Sequence, residues 1–542
     1  MPTQANDPTS PTWGNWSGNL VHKPPANGEN YYFRPANLGD LKAVLAGAKA
    51  KGVTVRVSGQ RHSQAPLVAD DNRGTASPAL TTYLVDMSCY ADLGSGQDQI
   101  VLGPGPNQVT VNPGVKEDAL DAFLTNNQLM LDAVTAGGFF SIGGMTAVDV
   151  HGGTVAAPIF AEAVASFTIL GADGNLTTID GKSKDADGNS LLSFARVSLG
   201  MLGVVTSLTL NVLPRPWANT LQGSSERFMA KTKTDFIAKY KERLTGPAKH
   251  DRMECFFTPY AAPWGVNNHL VLWWNVVENP RPPVSKTAPT PQSACALSNS
   301  NQFGAGLINI GQWGVDIIRG SQTTDPYYLP PAGPAEIAAY ALLEIENQVA
   351  AANNEFSDLW LAKSSQVVFM SYFIEMPNLD DAGLGKAWDG LAVIDNYVRE
   401  DGKFHIAAPV EFRFVKGGDS ALSGTFTKNP NAYFVNLDLI AWVEQTPSAQ
   451  YPAVMLKFFS TVERKWVSLG GLPHNGKMYG FYDPADSSPN SYTPPFNKNF
   501  LKFITNQRRV ARQAPVDAFK KFRSARDPGG LFYTQYLRDL LE

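Results

Sequence analysis

Glu411 and Arg413 stand two residues apart in Pro409-Val410-Glu411-Phe412-Arg413, a spacing that on a strand sends both side chains to one face. A proton acceptor then lies beside a guanidinium over one patch, a combination suited to proton removal and to holding negative charge. Lys477 lies in the short turn His474-Asn475-Gly476-Lys477 and adds a second cation. Alone, these residues read by default as a surface cross-strand pair and a solvated lysine. His62 leaves a glycine turn at the end of Val53 to Gln64, VTVRVSGQRHSQ. A neutral imidazole there is a nucleophile that titrates near physiological pH.

The elements that must position these residues are legible in part. Val53, Val55 and Val57 alternate with Thr54, Arg56 and Ser58, so the segment before His62 reads as a half-buried strand. Gly59 lets the chain turn, and the amides that follow can converge on an anion. A helix precedes this strand, starting at Asn37-Leu38-Gly39-Asp40, with Leu41, Val44, Leu45 and Ala48 on one side and Gly52 at its end. Short strands are expected at Tyr83–Asp86 and Val109–Asn112, and a helix at Lys116–Asn126. Ala136 to Met145 holds Gly137, Gly138, Gly143 and Gly144, so either something approaches that backbone closely or the chain turns tightly on itself. His151 follows, beside Gly152 and Gly153. Phe167–Leu170 and Leu176–Ile179 flank Asp173-Gly174, a hairpin signal. Gly200 to Val205 leads into an alternating strand that Pro214 and Pro216 end.

The first 30 residues read as an arm whose Trp13 and Trp16 dock onto the body. After residue 216 the composition shifts toward Trp and Phe, and Asn279–Gly306 reads as a long loop, either a lid or a linker. Phe434–Ile440 alternates as a strand and Tyr451–Trp466 as an amphipathic helix, so a second sheet-and-helix lobe is expected. The tail, Val516–Leu541, is helical and broken at Asp527-Pro528-Gly529-Gly530.

A chain of 542 residues exceeds one core, and 43% hydrophobic with 17% charged residues is a globular composition. The net charge of −4 offers no general attraction to nucleic acid or an anionic membrane, which favours a small-molecule partner. Cys89, Cys255 and Cys295 are far apart and odd in number, so buried thiols are expected rather than a disulfide framework. The seven histidines show no HExxH or HxH pairing, and no metal site is expected. No apolar run reaches the ~18 to 20 residues of a membrane span. The start, MPTQANDPTSPT, lacks a basic and an apolar region, so no export signal is expected and the cytoplasm is the default location.

Four separated motifs together resemble the vanillyl-alcohol-oxidase superfamily of FAD enzymes: Ser58-Gly59-Gln60-Arg61-His62-Ser63; Ala136 to Gly144 with His151-Gly152; Leu199-Gly200-Met201-Leu202-Gly203-Val204-Val205; and Asp527-Pro528-Gly529-Gly530-Leu531-Phe532. Within it the chain is similar to two groups. Pro409 to Arg413, Asn436-Leu437-Asp438-Leu439 and Ala147 to Gly152 resemble the covalent, second-type cholesterol oxidases. Asn15-Trp16-Ser17-Gly18-Asn19 and the end of the chain resemble the aldonolactone and alditol oxidases, with departures at Phe532 to Gln535 and Pro473 to Lys477. The resemblance implies an α+β fold: a two-lobed PCMH-type FAD-binding domain at residues 1–216, a substrate domain at 217–500 with a mixed or antiparallel sheet covered by helices, and a segment at 501–542 returning to the first domain.

By the same resemblance FAD is the cofactor, bound covalently through the His62 ring to the flavin 8α carbon. Ser58, Gly59, Gln60, Arg61, Ser63, Gly137, Gly138, Ser141, Ile142, Gly143, Gly144 and Gly152 would cradle it, with Gly203, Val204 and Val205 on the adenine side. His151 is either a flavin contact or a packed core residue. No cysteine in 136–153 offers a second tether. Glu411, Arg413 and Lys477 carry over as the catalytic group for oxidising an alcohol to a carbonyl, with O2 as acceptor and hydrogen peroxide as product; which group removes the proton stays open. An apolar or ring-bearing alcohol such as a sterol is the expected substrate, because the 217–275 segment is aromatic; the alternatives are an alditol or aldonolactone, or a catalytically silent flavin-binding protein. Phe256, Phe257, Tyr260, Trp264, Trp273 and Trp274 either line an apolar pocket or form the core of the lobe.

Overall fold

The computed structural model describes residues 3–4, 13–23, 25, 28–69, 81–135, 138–215, 219–250, 252–260, 268–278, 338–339, 341–343, 345–346, 367–400, 406, 408–441 and 451–542. The first lobe holds a sheet whose strands Tyr32–Arg34, Thr82–Val85 and Thr54–Val57 run parallel, with Thr3–Gln4 antiparallel on the outer edge. Helix Leu38–Lys51 connects two of these strands as the sequence spacing predicts. Asn37 caps it by accepting from the Asp40 amide, and Gly52 ends it in the left-handed region at φ 66°. Its Leu41, Val44, Leu45 and Ala48 pack on Val55, Tyr83 and Val85. A second, five-stranded antiparallel sheet follows, ordered Leu176–Asp180, Val164–Leu170, Val204–Asn211, Gln108–Val111, Ile100–Leu102. The hairpin expected at Asp173-Gly174 joins its first two strands, with Gly174 at φ 78°.

The second lobe is one seven-stranded antiparallel sheet, ordered Asn219–Phe228, His269–Glu278, Arg252–Phe257, Val410–Lys416, Tyr433–Ala441, Val368–Met376, Leu472–Pro473. Period-two alternation gives each strand two faces. One face, with Cys255, Phe412, Phe414, Leu437 and Tyr372, is buried beneath helices Lys233–Thr245, Asp381–Glu400 and Ala453–Ser468. Tyr240 packs edge-on against Phe412, and Trp466 packs on Tyr372 while donating from Nε1 to the Gly390 carbonyl at 2.8 Å. The other face turns to the first lobe.

The tail contributes helices Lys498–Val510, Val516–Arg526 and Gln535–Leu541. The break at 527–530 returns the chain to the parallel sheet: the Val55 amide donates to the Leu531 carbonyl at 2.8 Å, and Leu531 and Phe532 join the core around Leu41 and Val85. Trp13 and Trp16 of the amino-terminal arm are buried, as expected. Cys255 is a free buried thiol, but Cys89 is disulfide-bonded, correcting the expectation of thiols throughout. The loop expected at 279–306 lies outside the described residues. Among the described residues no helix is long and apolar enough to cross a membrane, and no group of His, Cys, Asp and Glu could hold a metal ion.

Candidate active site

A cavity of about 210 Å³ lies between the two lobes. Its wall on the first lobe comes from Arg56, Val57, Gly59 to Ser63, Asp86 to Ser88, Pro113-Gly114 and parts of 140–151; the opposite wall comes from Phe369, Glu411, Arg413, Asp438 and the 474–477 turn. The second wall is built by strand register. Phe256 pairs with Glu411, Glu411 with Asp438, and Asp438 with Ser371, so these positions form one row across four strands. Arg413 pairs with Asn436 in the next row of the same face. Glu254, two residues before Phe256 on its strand, reaches Arg413 from the neighbouring strand.

This wall concentrates charge where water is largely excluded. Arg413 Nη2 pairs with Glu254 and, at 2.5 Å, with Glu411 Oε1, and all three side chains are buried. Burial pushes the Glu411 carboxyl up to about 8 despite Arg413, with Glu254 adding to the rise. Asp438 is pushed up to about 6 by burial and by Glu411, and its Oδ1 has no hydrogen-bond partner among the described residues. Lys477 is drawn down by burial while Asp438 and Glu411 oppose the shift, and its Nζ sits 3.8 Å over the Phe369 ring. His151 and His474 line the same region, both held neutral chiefly by burial.

The turn bearing Lys477 is fixed from the first lobe. Asp149 Oδ2 accepts from the Asn475 amide at 2.8 Å and from its Nδ2 at 2.6 Å, while Oδ1 accepts from the Gly424 amide at 2.8 Å. Arg508 of helix Lys498–Val510 donates to Asn475 Oδ1 at 2.8 Å. On the His62 side, the Gln64 amide donates to the Gly476 carbonyl at 2.8 Å, and the Gln64 side chain accepts from the Phe369 amide at 2.8 Å. The two catalytic-looking turns therefore hold each other.

His62 projects into the cavity against Trp16 and Phe140, at ring-centroid distances of 4.5 and 4.7 Å. Both its ring nitrogens are buried without a hydrogen-bond partner among the described residues, and burial, aided by Lys477 and His474, keeps the imidazole neutral. The glycines act here mainly on neighbouring chain. A Cβ on Gly59 would collide with Ser141 Oγ, one on Gly143 with Pro113, and one on Gly114 with the Met87 carbonyl. The close approach they permit is loop to loop, and that approach shapes the wall.

Residues 30–180 match the FAD binding domain family, and residues 384–540 match the D-arabinono-1,4-lactone oxidase family. Over its whole length the chain superposes on a solvent-stable cholesterol oxidase with TM-score 0.71 at 19% identity, covering 100% of both chains. It superposes on cholesterol oxidase from B. sterolicum with TM-score 0.70 at 16% identity, covering 100% of this chain and 99% of that one. The chain has the PCMH-type FAD-binding fold of the vanillyl-alcohol-oxidase kind. By sequence it is similar to the L-gulono-1,4-lactone dehydrogenase of Mycobacterium tuberculosis, 28% identical over 253 residues, 46% of this chain and 50% of that one. It is also similar to the D-arabinono-1,4-lactone oxidase of Candida albicans, 24% identical over 200 residues, 37% of this chain and 34% of that one. The match thus spans half the length of the first relative and about a third of the second.

The cavity fits FAD on its own features: a polar-turn wall on the segment that matches the FAD binding domain family, and a neutral imidazole facing it. Gly59, Gln60, Arg61, His62, Ser63, Ser141, Gly143, Gly144 and His151 line the cavity. Ser58 lies behind them and accepts from Trp13 Nε1 at 3.2 Å. Gly138, at φ 65°, turns the chain, Ile142 is core, and Gly152 packs on Val134. Gly203, Val204 and Val205 stand apart from the lining: Val204 is in the core beside Leu170, and Leu199 and Gly200 line the cavity instead. Gly137 and Trp264 lie outside the described residues. Phe256, Phe257, Tyr260, Trp273 and Trp274 pack in or against the lobe's cores and line no part of this cavity. Glu254, Asp438, Asp149 and Arg56 were not picked out from sequence; an acid or arginine inside an otherwise apolar strand was the signal available for three of them.

Proposed function

We propose that this protein is an FAD-dependent oxidoreductase of the aldonolactone oxidase or dehydrogenase type, oxidising a CH–OH group of a hydroxyl-rich small molecule, with O2 reduced to hydrogen peroxide. The observation that carries the reading is the convergence on one cavity of His62 from the first lobe and of Glu411, Arg413, Asp438 and Lys477 from the second. Bound FAD would supply the two-electron acceptor. Glu411, with a carboxyl pushed up to about 8, accepts the substrate hydroxyl proton, since a base works best with its pKa near the working pH. Arg413 and Lys477 hold the negative charge that develops, and Glu254 keeps Arg413 in place. His62, neutral and free of hydrogen bonds, is suited to bond the flavin 8α carbon covalently.

The expected sterol preference is not supported. The sequence relatives are named for aldonolactones, and the likeness to cholesterol oxidases is one of fold. Of the aromatic residues that suggested an apolar pocket, the described ones pack in or against the core. A substrate with several hydroxyls can pair the unspent Asp438 oxygen, whereas an apolar ring would leave it buried and unpaired at a cost of about 1–3 kcal/mol. The test is kcat/KM for L-gulono-1,4-lactone, D-arabinono-1,4-lactone, xylitol and cholesterol, followed as peroxide release and as dye reduction. A lactone or polyol ahead is expected. Cholesterol ahead by tenfold would reject the substrate class, and no flavin reduction by any of them would reject the enzymatic reading.

A further inference from the structure

The amino-terminal stretch Asn15-Trp16-Ser17-Gly18-Asn19 is buried throughout, and much of its hydrogen bonding goes to the turn that presents His62. The Trp16 amide donates to the Arg61 carbonyl at 2.7 Å, Asn15 Nδ2 to the Ser63 carbonyl at 2.9 Å, and Asn19 Nδ2 to the Gln64 carbonyl at 2.9 Å. The carbonyls on both sides of His62 are thus held from the arm. The arm is itself tied together: Asn15 Oδ1 accepts from the Leu20 amide at 3.1 Å, Asn15 Nδ2 also donates to Asn19 Oδ1 at 2.7 Å, and Gly18 turns the chain at φ 69°. Arg61 needs such support. At φ 57° it takes the left-handed conformation, which a non-glycine residue keeps only where its surroundings impose it.

The arm also sets the His62 ring. Trp16 packs on the imidazole at 4.5 Å with 36° between the planes, and Phe140 meets it edge-on at 4.7 Å. No hydrogen bond to a described residue orients either ring nitrogen, so these aromatic contacts fix the plane. Ser17 brings in the second lobe. Gln64 Nε2 donates to Ser17 Oγ at 2.7 Å, Ser17 Oγ donates to the Val367 carbonyl at 2.6 Å, and Gln64 Oε1 accepts from the Phe369 amide at 2.8 Å. Phe369 is the ring beneath Lys477, and it stacks with Trp16 at 6.4 Å. The His62 turn is therefore indexed to the wall that carries Lys477.

We infer that Trp16, with Asn15 and Asn19, is the positioning group for covalent flavin attachment, holding the His62 imidazole in one place and one plane before the cofactor arrives. This rests on the FAD and His62 readings above. In the attachment a bond forms between a His62 ring nitrogen and the flavin 8α carbon. The C–H bond that breaks leaves its electron pair on the flavin ring, which is reduced by two electrons and passes them to O2. The proton from that carbon and the imidazole N–H proton complete hydrogen peroxide. The arm exchanges no proton or electron in this step. It contributes orientation, and misplacing a reacting group by about 1 Å costs on the order of 10²-fold in rate.

In the test, full-length chains made free of flavin in riboflavin-starved cells are mixed with saturating FAD and sampled for flavin that stays with acid-precipitated protein. Trp16→Ala should slow formation of acid-stable flavin by about 10- to 100-fold and Asn15→Ala by about tenfold, whereas Trp16→Phe, which keeps a ring against the imidazole, should stay within about threefold of wild type. In a His62→Ala background, Trp16→Ala should leave reversible FAD affinity, read from flavin fluorescence, within about threefold. A folded Trp16→Ala protein that attaches FAD within about threefold of the wild-type rate overturns the assignment, as does an affinity loss that matches the rate loss. Wild type decides even where that variant does not fold. Its Trp16 amide should exchange hydrogen as slowly in the flavin-free chain as in the loaded one; exchange at the open-chain rate before FAD is added overturns the proposal. Wild-type flavin that acid releases in full overturns the tether and this proposal with it, and wild-type protein that takes up no FAD overturns the cofactor reading beneath both.

Discussion

At the scale of single residues, the site works by holding opposite charges where burial exaggerates each of them. Glu411 is the clearest case, since burial raises its carboxyl and Arg413 lowers it, with burial the larger effect. The rate of flavin reduction should therefore rise with pH to a midpoint near 8 and level off. Arg413→Ala removes the lowering charge and should move that midpoint up; Glu254→Gln removes a raising charge and should move it down. Glu411→Gln should erase the limb and slow reduction by about 10²–10³ at saturating substrate, a typical loss for one positioned charged group. Stopped-flow rates within twofold of wild type, or midpoint shifts of the opposite sign, would remove Glu411 from this role. For His62, acid-precipitated protein should stay yellow and the His62 peptide should carry the mass of FAD. Release of all flavin into the supernatant would show that the tether is absent.

At the scale of elements, the two lobes meet through short backbone contacts that tolerate little change. The Met253 amide donates to the Gly153 carbonyl at 2.6 Å, and a Cβ on Gly153 would collide with the Met253 carbonyl. This junction joins the segment bearing His151 to the strand bearing Glu254. Gly153→Ala should cost about 1–3 kcal/mol, as overpacking does, seen as a lower urea midpoint at unchanged slope. The Asp149 clamp carries more. Asp149→Ala leaves the Gly424 amide and the Asn475 amide and Nδ2 without their acceptor and frees the Asn475 side chain that accepts from the buried Arg508, and should destabilise by about 3–5 kcal/mol. An urea midpoint unchanged by either substitution would show that these contacts are incidental.

At the scale of the whole molecule, pH should act on stability through the buried acids. Glu117 and Glu411 are each pushed up to about 8 and Glu463 to about 7, in every case chiefly by burial. Between about pH 6.5 and 8 the folded chain holds protons on these groups that the unfolded chain has already released, so stability falls as pH rises. Each group contributes up to about 1.4 kcal/mol per pH unit where it is protonated only in the folded state. Lys477, drawn down by burial, works in the other direction as one group against three. Below about 6.5 the buried neutral histidines 62, 151, 269 and 474 oppose the trend, because the unfolded chain then takes up protons that the folded chain refuses, while Asp438, pushed up to about 6, acts with the other acids. Urea titrations should show stability falling as pH rises from about 6.5 to 8; a rise across that window would contradict this balance.

The sequence alone determined what depends on local spacing. Alternation placed Glu411 and Arg413 on one face, Gly59 marked the turn that presents His62, and Asn37 with Gly52 bounded the first helix. Tertiary structure decided everything that depends on pairing between distant segments. Glu254 reaches Arg413 across 159 positions of sequence, and Asp149 reaches Asn475 across 326, through strand register and loop packing that no local pattern encodes. The same limit explains the misplaced sterol preference. Composition showed that residues 251–274 are aromatic, but strand register divides them between the two faces, Phe257 toward the helix-covered core and Phe256 toward Trp16, and none of the described ones lines the cavity.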